Sequence, residues 1–169
     1  MNIFVVGTGR CSTVTFNKAC SHIINYTSSH ETNTSGLLGN NFIYPDNHIE
    51  IDPRMSYFLP LLKNKYPNSF WVHLQRERNS CITSLSRRRS LIKYGCFHLG
   101  TNTDNLKLLS EIYYDNTNEL IKKLLADENH IHLWTHELED SFDIFYNKIN
   151  AKGDILECKK ELKIKYNKS

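Results

Sequence analysis

Apolar residues along the chain follow two rhythms. Short, nearly unbroken runs occur at Ile3-Phe4-Val5-Val6, at Ser69-Phe70-Trp71-Val72-His73-Leu74 and at His130-Ile131-His132-Leu133-Trp134. Their length and their β-branched and aromatic content predict strands. Between them the spacing lengthens to three and four. It predicts a helix from Thr13 to about Tyr26, and another opened by Asp52-Pro53 that carries Met55, Phe58, Leu59 and Leu62 on one face and stops before Pro67. A third helix, capped by Asn79 or Ser80, runs to about Tyr94. A fourth spans Asp104 to Ala126, with Leu108, Leu109, Ile112, Leu120, Ile121 and Leu124 as core positions, and a fifth runs from Asp140-Ser141 to about Asn150. Phe42 to Ile51 has room for a short strand. Thr27 to Asn41, rich in Ser, Thr, Asn and Gly, reads as a long loop, and the Lys-rich stretch Lys159 to Ser169 specifies no element.

Strands alternating with helices predict an α/β fold: one domain over residues 1–169, with a mostly parallel central sheet flanked by helices. Ligands in such sheets bind at the carboxyl ends of the strands. Two segments lie there, Gly7–Thr15 and Arg76–Ser84.

Composition narrows the class. A chain of 169 residues with 40% hydrophobic content buries a core without staples. No apolar run approaches the ~20 residues of a membrane span. Met1-Asn2-Ile3 leads straight into a strand, so no signal peptide is expected. The five cysteines (Cys11, Cys20, Cys81, Cys96, Cys158) form no C-x-x-C pair, which predicts reduced thiols in a cytoplasmic protein and disfavours zinc. Cys11 stands at a helix N-terminus, a setting that lowers a thiol pKa, although a small residue fitted to the turn is the simpler reading. The net charge of +3 is mild, yet Arg76, Arg78, Arg87, Arg88 and Arg89 crowd one region; no nucleic-acid-binding module accompanies them.

The chemistry starts at Gly7-Thr8-Gly9-Arg10-Cys11-Ser12-Thr13-Val14-Thr15. A buried strand meets a tight loop and then a helix, so backbone N–H groups, hydroxyls and the positive end of a helix dipole converge. Phosphate or sulfate suits such a spot. A nucleoside-triphosphate loop needs G-x-x-x-x-G-K-[ST], and the lysine is missing. A dinucleotide fold needs G-x-G-x-x-G; Ser12 stands in place of the third glycine, and Glu31 lies near the distance of the ribose-binding acid, but Thr27 to His30 make a poor second strand.

A third reading extends beyond one loop. Gly9-Arg10-Cys11-Ser12-Thr13-Val14 resembles the 5′-phosphosulfate loop, P-[KR]-S-G-T-[TS], of the sulfotransferase superfamily that uses adenosine 3′-phosphate 5′-phosphosulfate (PAPS). His73-Leu74-Gln75-Arg76-Glu77-Arg78-Asn79-Ser80-Cys81-Ile82-Thr83-Ser84-Leu85 resembles its second motif, an apolar strand followed by R-D-P-R-x-x-x-x-S. Trp134 to Asp140 resembles, loosely, a later strand-to-helix segment. Ser12 replaces the family's glycine, Val14 a hydroxyl residue and Glu77 an Asp. A late Gly-rich segment with a basic residue, which closes over the nucleotide in many members, is not visible in the sequence.

The resemblance implies a phosphate-loop-like sulfotransferase architecture and in-line sulfuryl transfer from PAPS to a hydroxyl, leaving adenosine 3′,5′-bisphosphate and using no metal. It assigns the 5′-phosphosulfate to the loop over Cys11, Ser12, Thr13, Val14 and Thr15, charge stabilisation to Arg10, and the 3′-phosphate to Arg76 and Ser84. Its base is a Glu or a His; Glu31 follows Arg10 at a matching distance, with His30 as its neighbour. A glycan hydroxyl is the preferred acceptor, since Glu bases accompany glycan and tyrosine acceptors. The plain readings stay beside these: Glu31 as a solvated loop carboxylate, Arg10 and Arg76 as surface or salt-bridged residues, Arg87-Arg88-Arg89 as a solvated helix end, His73 as structural. So do two other classes, a dinucleotide-binding domain and a non-catalytic protein that keeps the sulfotransferase fold.

Overall fold

The computed structural model describes residues 1–32, 42–89 and 104–166. Five strands, β1 (Ile3–Gly7), β2 (Thr27–His30), β3 (His48–Ile51), β4 (Phe70–Gln75) and β5 (His130–Trp134), form one sheet. All four pairings are parallel, and the order across the sheet is β2-β3-β1-β4-β5. Among the described residues six α-helices surround it: α1 (Thr13–Cys20), α2 (Leu59–Lys65), α3 (Arg78–Leu85), α4 (Leu106–Leu125), α5 (Leu138–Lys148) and α6 (Ile155–Leu162). The α/β architecture is the one the alternating pattern predicts.

Because successive side chains of a strand point to opposite faces, β1 feeds two cores. Ile3 and Val5 pack with Phe16, Phe142 and Phe145 from α1 and α5. Phe4 and Val6 pack with Trp71, Met55, Leu62 and Ile121 on the other face. The central strands are buried on both sides, which explains their continuous apolar runs. At the end of β1 a Cβ on Gly7 would stand 2.3 Å from the Leu74 carbonyl oxygen, so only glycine lets β1 and β4 close there.

Several elements differ from the sequence expectation. Thr27–His30 is a strand, not loop: its polar side chains are held by β3 rather than by apolar packing, with Thr27 Oγ1 2.7 Å from His48 Nδ1 and Ser29 on both His48 and Glu50. Helix α1 stops at Cys20, not Tyr26, because Ile23 leaves the helical path to bridge Gly153. The single helix expected after Asp52 is two: a 3-10 turn over Pro53–Tyr57, then α2, whose first turn contains Pro60 and so restarts rather than continues the hydrogen-bond ladder. The inward stripe of α4 runs through Leu109, Tyr113, Tyr114, Thr117, Asn118 and Ile121, while Leu108 is exposed. That rotation lets polar tips reach partners: Tyr114 Oη donates to the Arg76 carbonyl, and Asn118 meets His73. Helix α6 forms where no element was expected.

Candidate functional site

At the carboxyl ends of β1, β4 and β5 opens a cleft of about 1050 Å³. The loop after β1 makes one wall. Arg10 and Ser12 both hold positive φ, 70° and 57°, the left-handed region where glycine is favoured. Ser12 thus stands in glycine's conformation without being glycine, and its hydroxyl does not cap α1. Buried groups brace the loop from beneath. Ser56 Oγ accepts from the Gly7 N–H (3.3 Å) and donates to the Gly7 carbonyl (3.0 Å), the Gly9 N–H donates to Tyr113 Oη (3.3 Å), and Thr8 sits among the Cys11 and Cys81 thiols. Cys11 points inward: its hydrogen bond with Cys81 and its burial push its thiol pKa up, opposite to the lowering that a helix N-terminus suggests. Its side chain is therefore a packing group. The four cysteines among the described residues, Cys11, Cys20, Cys81 and Cys158, are unbridged; Cys96 lies outside them.

The second wall is the β4–α3 junction. Arg76 follows β4 directly, and its Nη1 donates to the Arg10 carbonyl at 3.2 Å. Ser84 lies in the last turn of α3, and Arg10 Nε donates to its hydroxyl at 2.9 Å. The two distant sequence segments therefore meet. Helix α3 starts earlier than Asn79: Glu77 is its N-cap, its carboxylate accepting from the Asn79 and Ser80 N–H groups at 2.8 and 2.7 Å. Those same N–H groups hold the Glu77 carboxyl below the usual glutamate range. Of the basic run, Arg87 lines the cleft, whereas Arg78 turns to Asp115 and Arg89 to Asp104. Burial first, then the neighbouring Arg88 and Arg76, push the Arg10 pKa down from its ordinary value. Like charges crowded in this way favour an anion among them.

Ser12, Thr13, Val14 and Thr15 line the cleft; Cys11, expected in the same set, does not. Two of the hydroxyls have protein partners. Thr15 Oγ1 donates to the Ile164 carbonyl at 3.3 Å, and Thr13 Oγ1 is 2.9 Å from His30 Nε2. Glu31 follows β2 with φ 56°, its N–H donating to the Ile51 carbonyl. Its carboxylate lies 3.6 Å from Arg54 and 3.8 Å from His30. Neither Glu31 nor His30 is part of the cleft wall; His30 reaches it through Thr13 at the start of α1.

The wall also contains residues to which the sequence assigned no role. Thr135 and His136, after β5, belong to it, and so do Lys163, Ile164, Lys165 and Tyr166, which cross in front of α1 after α6. Lys163 is tied to Glu139 at 3.0 Å. The Lys-rich end that specified no element thus supplies a basic segment beside the loop. The signal available was charge alone, since no glycine or motif marks it.

The sheet order separates the competing readings. The dinucleotide fold places its second strand beside the first, in the order 3-2-1-4-5. Here β3 lies beside β1, and Glu31 follows a strand one position farther out, away from a ribose bound at β1.

A scan against protein-family models finds no match, and a search of curated proteins finds none either. Solved structures do match. The sulfotransferase domain from the curacin biosynthetic pathway is 14% identical with a TM-score of 0.69, over 99% of this chain and 78% of that one. A sulfotransferase from Alicyclobacillus acidocaldarius is 11% identical with a TM-score of 0.53, over 97% of this chain and 81% of that one. At that identity the likeness speaks for architecture, and in architecture the chain has the sulfotransferase fold.

Proposed function

We propose that the chain transfers a sulfuryl group from PAPS to an acceptor hydroxyl. The observation that carries this reading is the meeting of Arg10, Arg76 and Ser84 beside the first turn of α1, with Arg76 on the Arg10 carbonyl and Arg10 on Ser84. A guanidinium fork with a hydroxyl receives one dianion. Loop amides at a helix N-terminus receive another. Two anion receptors in one cleft of this size suit a nucleotide phosphorylated at both ends.

In this reading the amides of residues 11–15 orient the 5′-phosphosulfate, and Arg76 with Ser84 holds the 3′-phosphate. The acceptor oxygen forms a bond to sulfur as the bond from sulfur to the 5′-phosphate oxygen breaks. Arg10 offsets the charge that grows on that leaving oxygen, where preorganised donors act most strongly. The acceptor proton passes to Glu31, or to His30, which the 2.9 Å contact with Thr13 brings nearer the loop. A glycan hydroxyl remains the preferred acceptor.

Calorimetry with adenosine 3′,5′-bisphosphate, AMP and NAD tests the reading. The bisphosphate binds more tightly than either of the others, and Arg76→Ala weakens it by about 1.5–3 kcal/mol, the worth of a charge-assisted hydrogen bond. Equal affinity for bisphosphate and AMP overturns the assignment.

A further inference from the structure

Away from the cleft, β4, β5 and α4 hold three histidines in a row. His73 and His132 are register partners across β4 and β5, and His130 precedes His132 by two residues on the same face of β5. Hydrogen-bond accounting fixes their tautomers. The Asn118 amide nitrogen donates to the Tyr114 carbonyl at 2.8 Å, so its oxygen faces His73 and accepts from His73 Nε2, also at 2.8 Å. His73 is fully buried, so its ring is neutral and its Nδ1 carries a lone pair. His132 Nδ1, 3.2 Å away, must donate to it, which leaves His132 Nε2 bare. At the other end His130 Nδ1 is 2.9 Å from the Glu128 carbonyl and must donate to it, which leaves His130 Nε2 bare as well. The two bare nitrogens face each other at 3.2 Å. Two neutral rings cannot complete that contact; a proton on one ring or a metal ion held by both does.

We propose that His130 and His132 form a binding site for one divalent transition-metal ion of the zinc, nickel and copper group, whose members prefer imidazole. The separation fits, since two nitrogens at ~2.0–2.1 Å from a tetrahedral zinc lie about 3.3 Å apart. Each ring already donates its other nitrogen to a fixed acceptor, the arrangement that orients histidine ligands in metal sites. The pair is partly exposed, so water completes the coordination and the ion has a path of entry. Among the described residues no group of three or more His, Cys, Asp or Glu side chains forms a metal cluster, so this is a two-ligand site. The positive charge of Lys122 on α4 acts on the His132 ring and weakens its attraction for a cation. The site owes nothing to the sulfuryl-transfer reading.

The test uses the whole chain, stripped with a chelator and titrated with Zn²⁺. One equivalent binds, and His130→Gln and His132→Gln each weaken binding at least tenfold, whereas His22→Gln leaves it unchanged. Cu²⁺ loaded at one equivalent shows two imidazole nitrogens in its electron paramagnetic resonance spectrum in the wild type and one in each variant. Absence of stoichiometric Zn²⁺ binding, affinity unchanged in both variants, or a Cu²⁺ spectrum without two nitrogens overturns the proposal. The wild-type spectrum decides the matter even where a variant fails to fold.

Discussion

Glu31 and His30 are adjacent in sequence but differently placed for proton transfer. The Glu31 carboxylate is shared with Arg54, which itself grips Asp52 through two hydrogen bonds of 2.9 and 2.8 Å. His30 lies 3.8 Å from that carboxylate, and its Nε2 is also on Thr13 in the first turn of α1. With Glu31 as base, Glu31→Gln abolishes turnover and spares bisphosphate affinity, while His30→Gln lowers turnover through the lost Thr13 contact. Steady-state rates for both variants, with calorimetry as the binding control, decide it. Full activity in Glu31→Gln moves the base to His30. Ser12 is the other residue whose identity and conformation disagree, a side chain carried at φ 57° where the resembling motif has glycine. Sequence cannot show that the chain keeps the glycine's backbone shape after losing the glycine.

At the scale of elements, β2 shows why one strand escaped prediction. Thr27, Ser28, Ser29 and His30 carry no apolar face, and polarity reads as loop. The strand is held from outside itself: Glu50, buried on β3, accepts from Ser29 Oγ and from the Thr32 N–H and hydroxyl (3.2 and 2.8 Å), with His48 beside it. A pairing that depends on partners distant in sequence leaves no local periodicity to read. The strands β1 and β4 were legible because burial on both faces demands apolar runs, and β5 because Ile131 and Leu133 alternate inward. Burial pushes the Glu50 pKa up, but the bonds from His48, Ser29 and Thr32 outweigh it and hold the carboxyl below the ordinary value of 4.5. A carboxyl depressed on folding adds stability at pH above its unfolded value and loses it as pH falls through the folded one. Glu50→Leu, which orphans those donors, therefore costs about 1–3 kcal/mol at neutral pH. Its stability also declines less steeply than the wild type's as acid is added below pH 4.5. Denaturant unfolding of both proteins from pH 7 into that range measures the difference; parallel pH profiles refute it.

Across the whole molecule, the proposed anion site is assembled from segments far apart in the chain. Arg10 comes from the first loop, Arg76 and Arg87 from the two ends of α3, and Lys163 and Lys165 from beyond α6. The last of these depends on packing at a distance: α6 is held against α1, and Gly153 ahead of it sits at φ 136° with no room for a Cβ beside the His22 carbonyl, 2.2 Å away. The Thr15 bond to the Ile164 carbonyl then seats the segment at the cleft. Lys163 spends part of its charge on Glu139, so Lys165 is the better probe of what the segment contributes. Attraction from a lysine at the rim is long-ranged and screened, with a Debye length of about 10 Å at 0.1 M salt and about 3 Å at 1 M. Lys165→Ala therefore weakens bisphosphate binding severalfold at low salt and converges on the wild type near 1 M. Arg76→Ala, which removes a direct hydrogen-bonding fork, stays weak at every ionic strength. Arg78→Ala, removing a side chain committed to Asp115 outside the cleft, changes neither. Calorimetric affinities at three salt concentrations separate the three behaviours. A Lys165→Ala deficit that persists unchanged at 1 M salt shows that the segment acts by direct contact and not by its field.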